Sequence, residues 1–102
     1  MPTLTAKKRR LLRSAGQKLR ATCIVGKAGV TRAVIGNVDR QLSARELVKV
    51  RIPPGPADER EQLAKQLAGA ANAAYVATLG RTVLLYRPAE ARSPEEKRSL
   101  PR

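Results

Sequence analysis

Gly26-Lys27-Ala28-Gly29 places two glycines at GxxG spacing around a lysine, directly after the apolar run Thr22-Cys23-Ile24-Val25. Glycines let a backbone approach a phosphate closely. Where a strand leads through such a loop into a helix, free N–H groups and the positive helix end favour an anion. The plainer alternative is a βα turn whose glycines serve geometry alone. The surroundings favour binding: Lys18, Arg20 and Arg32 flank the loop, and no acidic residue occurs between Met1 and Val38.

A second concentration of charge precedes the loop. Lys7, Lys8, Arg9, Arg10 and Arg13 crowd one short stretch. Like charges at helical neighbour spacing repel one another, so such density is better explained by bound phosphates than by solvation alone. Lys49 and Arg51 alternate with Val48, Val50 and Ile52, and either extend a cationic track or protect a sheet edge. With Gly26, Lys27, Ala28 and Gly29, these residues form the candidate contact set.

Other chemistries find little support. There is no histidine and only one cysteine, so the usual zinc ligands and the commonest general base are missing. No catalytic residue, metal site or cofactor is expected. Asp58, Glu59 and Glu61 belong to a helix start, where carboxylates suit the helix dipole and are poorly placed for a metal-dependent nuclease. The glycine loop lacks the spacing and the GK[ST] ending of a nucleotide-binding P-loop. Tyr75 and Tyr86 are the only aromatics and fall at packing positions in strands, which argues against base stacking on a sheet.

The elements that must position these groups follow from local patterns. Thr5 caps a helix from about Ala6 to Ala15, with Leu11, Leu12, Ala15 and Leu19 on its buried side and Gly16 as its stop. Ala21 to Val25 reads as a short buried strand. Thr31 caps a second helix, with Val30 and Ile35 as a hydrophobic staple and Val34, Val38 and Leu42 facing the core. Leu47 to Ile52 is a strand with one polar face, ended by Pro53-Pro54-Gly55-Pro56.

Asp58 and Glu61 resemble a capping box opening a third helix that carries Leu63, Ala64, Leu67, Ala68 and Ala71 and ends near Asn72. Tyr75 to Leu79 and Thr82 to Tyr86 form a hairpin around Gly80-Arg81, in which a leading glycine suits a type II′ turn. Arg87 to Arg102 is charged and contains three prolines, so it reads as an extended, largely disordered tail. The domain is drawn at 1–88 and the tail proper at 89–102.

The expected fold is a single α/β domain of order αβαβαββ with a mixed four-stranded sheet. Crossovers through the second and third helices make parallel pairings, and the hairpin adds an antiparallel one. Three of the strands are apolar on both faces, which calls for helices on more than one side of the sheet. The 102 residues suffice for one core.

Twenty-one Lys and Arg against eight Asp and Glu give a formal charge of +13, which calls for a polyanionic partner. Nucleic acid is the leading choice over an anionic membrane or an acidic protein. No stretch approaches a membrane span, the basic start is not followed by a secretory apolar region, and Cys23 fits a reducing cytoplasm.

With these pieces placed, the chain resembles the CRM domain, named for chloroplast RNA splicing and ribosome maturation, and in particular its stand-alone bacterial members of the YhbY type. The matching stretches are Leu4-Thr5-Ala6-Lys7, Cys23 to Thr31, Glu46 to Ile52, Gly80 to Pro88 and Ser99-Leu100-Pro101-Arg102. The resemblance implies a fold similar to the C-terminal domain of translation initiation factor three. It also implies RNA binding through the GxxG loop and adjoining basic surface, and association with precursors of the large ribosomal subunit. The loop is similar to that of KH domains, which joins two helices, whereas a strand leads into this one. Ala28 stands where the family often has a polar residue, and Pro53 to Pro56 is unusually rich in proline.

The expectation is therefore a non-enzymatic, cytoplasmic, monomeric protein that binds ribosomal RNA in pre-ribosomal particles. The alternatives are a general RNA chaperone or splicing cofactor and, from a different class, a phosphotransfer or nuclease enzyme.

Overall fold

The computed structural model describes residues 4–88. Their elements run α1 (Ala6–Gly16), β1 (Cys23–Ile24), α2 (Arg32–Arg45), β2 (Leu47–Arg51), α3 (Ala57–Ala70), β3 (Ala74–Leu79) and β4 (Thr82–Tyr86). This is the expected αβαβαββ order. The proposed tail at 89–102 lies outside the described residues.

Both threonine caps form as expected. Thr5 Oγ1 accepts the Lys8 N–H at 3.1 Å, and Thr31 Oγ1 accepts the Val34 N–H at 3.2 Å. The expected capping box of α3 does not form. Pro56 occupies the N-cap with no side-chain bond, which leaves Asp58 and Glu59 in the first turn, where they still complement the helix dipole. Glu61 instead pairs with Lys65 one turn on, at 3.2 Å.

The four strands form one mixed sheet in the order β1-β2-β4-β3. β1 pairs parallel with β2, in the register Cys23 to Val50 and Ile24 to Arg51. β4 pairs antiparallel with both β2 and β3. The expectation of a second parallel pairing through α3 is thereby corrected, because β4 lies between β2 and β3. Its composition gives the reason: Val83, Leu84, Leu85 and Tyr86 are all buried, and an interior strand covered on both faces is the place that buries consecutive apolar residues. The hairpin turn is as expected, with Gly80 at φ 61° and no positive φ at Arg81.

Helices cover both faces, making two cores. Val48, Val50, Ile52, Val83 and Leu85 meet Val38 and Leu42 of α2 and Ala64, Leu67 and Ala68 of α3. On the opposite face Leu12 of α1 packs with Val76, Leu84 and Tyr86, beside Leu4 and Leu47. Leu12 is fully buried, whereas Leu11 is 50% exposed and Leu19 37%, so the buried stripe of α1 is narrower than expected.

Gly16 is the last residue of α1, yet it does not end the helix by a left-handed turn. A Cβ at this position would fall inside the side chain of Leu84, so glycine is required by the close approach of α1 to the sheet. The reading of β1 as fully buried is corrected too. It is a two-residue edge strand, and Ile24 is 67% exposed on the face that α1 leaves open.

Candidate nucleic-acid interface

The Gly26–Gly29 loop is a closed turn. The Gly29 N–H donates to the Gly26 carbonyl at 3.0 Å, and the Thr31 N–H donates to that of Gly29 at 3.0 Å. Gly29 has φ 79°, a conformation that disfavours any side chain. Space is open around both glycines, and Lys27 and Ala28 are exposed at the tip. The N–H groups of Lys27 and Ala28 have no partner among the described residues. The α2 N-terminus follows directly, with Arg32 exposed and no acidic residue in its first turn. Backbone donors, a helix end and two mobile cations thus converge as an anion site requires.

The cations of α1 divide into two groups. Lys7, Arg10 and Arg13 are exposed on the outward arc. Lys8 is half-buried, its ammonium 5.2 Å from the centroid of the Tyr86 ring. Arg9 donates from Nη1 to the carbonyls of Tyr75 at 2.5 Å and Val76 at 2.8 Å, where the β3–β4 register shifts between Tyr75 and Ala77. Lys8 and Arg9 therefore help to hold α1 on the sheet, although Arg9 stays exposed as Lys7, Arg10 and Arg13 do.

Lys49 and Arg51 share the sheet face of Leu47, on which α1 stands. The alternative of edge protection is set aside for this pair, because β2 is an interior strand. Arg51 lies in register beside Ile24 on one side and Thr82 on the other. Lys49 is half-buried and donates from Nζ to the Leu19 carbonyl at 3.2 Å.

That contact forms one wall of an open groove of about 310 Å³, lined by Lys18, Leu19, Arg20, Thr22, Arg45, Leu47 and Lys49. Arg45 escaped sequence reasoning, although a signal existed: the parallel pairing of β1 with β2 sets the residues preceding β2 beside those preceding β1. The groove, the two-residue β1 and the GxxG loop follow one another along one edge of the sheet. None of Lys18, Arg20, Arg45 or Lys49 takes part in an ion pair among the described residues.

Charge is segregated across the sheet. Between Leu4 and Val38, which spans α1, β1 and the loop, there is no carboxylate. Asp58, Glu59 and Glu61 sit on α3, across the sheet from α1, and Asp39 is bound to Arg87 at 2.7 Å. Cys23 is buried between these regions, and burial pushes its thiol above the ordinary value against the opposing influence of the Thr22 side chain, Arg40 and Arg45.

A family model described as the CRS1/YhbY (CRM) domain matches residues 4–87, nearly all of the described chain. The chain belongs to this family. Among its relatives, a protein of Haemophilus influenzae named as an RNA-binding protein is 29% identical over 102 residues, covering 100% of this chain and 99% of its own. YqeI of Bacillus subtilis, also named for RNA binding, is 34% identical over 84 residues, which are 82% of this chain and 88% of the relative. The fold is similar to the solution structure of a Staphylococcus aureus protein, with a TM-score of 0.79 at 31% identity, covering 92% of this CRM domain chain and 96% of the other.

Proposed function

We propose that this CRM domain protein is a non-catalytic RNA-binding factor in ribosome assembly, acting in the cytoplasm as a monomer on ribosomal RNA of large-subunit precursors. The observation that carries the RNA reading is the cationic surface, without ion pairs among the described residues, that runs from the outer arc of α1 over Lys49 and Arg51 to the Gly26–Gly29 loop. The family and the names of its relatives support the same class of ligand. Large-subunit assembly rests on the resemblance to YhbY-type members.

The arrangement binds backbone phosphates and reads RNA shape. It offers a turn of free N–H groups, a helix N-terminus and lysine and arginine side chains, and both tyrosines lie in the sheet.

Lys27→Glu combined with Arg10→Glu reverses two exposed charges and spares both cores. RNA affinity is expected to fall by at least roughly tenfold in moderate salt, with an unchanged circular dichroism spectrum. Undiminished affinity in the folded variant would place the interface elsewhere. Crosslinking in cells, with the attached RNA sequenced, tests the assembly role. Enrichment at one region of large-subunit RNA supports it, and crosslinks scattered over many RNAs would replace it with a general RNA chaperone.

A further inference from the structure

The groove at the start of β2 differs in kind from the GxxG loop. Its rim is cationic, with Lys18 and Arg20 from the segment joining α1 to β1, Arg45 from the end of α2 and Lys49 from β2. Its floor is aliphatic, formed by Leu19 and Leu47 together with the stems of the basic side chains. A phosphate alone would lie poorly on that floor, which gives no donors in place of its lost water. A flat, largely apolar group carrying negative charge on both sides matches floor and rim together.

From these features we propose that the groove seats one unpaired nucleotide of an RNA strand, its base against Leu19 and Leu47 and its flanking phosphates on Lys18, Arg20, Arg45 and Lys49. The proposal rests on the RNA-binding reading above and adds a second contact to it, one that distinguishes single-stranded from paired RNA. The volume of about 310 Å³ lies at the lower end for small-ligand sites, fitting one base with its sugar and excluding a stacked pair of bases.

Lys49 is already fixed for the task. Its Nζ is held by the Leu19 carbonyl, so its position is set before a ligand arrives. Glu46, which stands between Arg45 and Leu47 in sequence, is buried at 5% exposure. From the groove, β1 leads to the loop over about four residues, or ~13 Å at the rise of a strand. Along the way it passes Ile24, exposed on the same side of the sheet. One RNA strand can therefore run from groove to loop, with an unpaired nucleotide at one end and a phosphate clasp at the other.

The test uses the full chain with two probes, a single-stranded hexauridylate and a blunt RNA duplex. Arg20→Glu with Arg45→Glu reverses charge at two exposed positions and leaves both cores untouched. Binding of the hexamer is expected to weaken roughly tenfold, and that of the duplex much less. Amide NMR signals of Leu19, Thr22 and Leu47 are expected to shift on titrating the wild-type chain with the hexamer.

Equal weakening toward both probes would reduce the groove to a phosphate rail and overturn the seating of a base. Hexamer affinity that stays at the wild-type level, while Lys27→Glu lowers it, would overturn the groove proposal and leave the RNA-binding reading standing. A wild-type chain that binds neither probe would overturn both.

Discussion

Arg87 follows the last strand, in the segment that composition assigns to a flexible tail. Its guanidinium instead donates to Asp39 Oδ1 and the Ala71 carbonyl, each at 2.7 Å, to the Asp39 carbonyl at 3.0 Å and to Ser43 Oγ at 2.9 Å. Its own N–H donates to the Glu46 carbonyl at 2.9 Å, so one side chain ties α2, α3 and the end of β4 together. Arg87→Ala is expected to lower unfolding stability by about 2 kcal/mol, because partly buried acceptors lose their donor. Arg87→Lys should recover little, since an ammonium cannot reproduce the planar fork. Asp39→Asn should cost less than about 1 kcal/mol, because that carboxylate is half exposed and the ion pair is weak. Denaturant titration of the three variants checks the order.

At Cys23, burial disfavours the thiolate, so native protein should react slowly with a thiol reagent at about pH 8 and rapidly once unfolded. The folded value is raised. The stability it contributes is therefore fully present below the unfolded value near 9.0 and is lost as pH rises through the folded one.

Among the elements, α1 is held to the sheet by a narrow buried stripe and carries exposed interface residues. Leu12 is its one fully buried large side chain, and Gly16 brings its last turn against Leu84. Gly16→Ala would raise helix propensity in isolation. Here it should destabilise by about 1–3 kcal/mol through overpacking, seen as a lower midpoint in thermal unfolding. The glycine was legible in the sequence as a stop signal, but its packing role was not, because nothing local shows that Leu84 approaches from 68 residues away.

The caps at Thr5 and Thr31, the β2 alternation and the Gly80 turn were readable because each depends on neighbouring residues. Strand order was not. The position of β4 depends on which strand most needs cover on both faces, a comparison across the whole sheet. The same division holds in the candidate site: the loop and the exposed cations announce themselves locally. Arg45 enters only through tertiary pairing, and Lys8 and Arg9 are bound to the sheet only because Tyr86 and the edge of β3 are there to receive them.

At the scale of the molecule, the sheet separates a face with no carboxylate among the described residues from one that carries Asp58, Glu59 and Glu61 on α3. Binding through such a face releases counterions, so affinity should fall steeply as salt rises. Each exposed cation removed from the interface should flatten the logarithmic salt slope by roughly one unit. With no histidine in the chain, affinity measured at constant ionic strength should barely change between about pH 6 and 8. A nitrocellulose or fluorescence-anisotropy titration over both variables reads both outcomes.

The interior place of β4 also governs when the molecule can exist during its own synthesis. This strand gives Val83 and Leu85 to one core and Leu84 and Tyr86 to the other, and joins β2 to β3. A nascent chain that has emerged only as far as β3 holds two unfinished cores and a sheet divided in the middle. Most of its cationic surface is already exposed by then. Neither core can close without β4, and a chain cut short of Thr82 would be left a basic, unfolded segment open to proteases and to any RNA nearby.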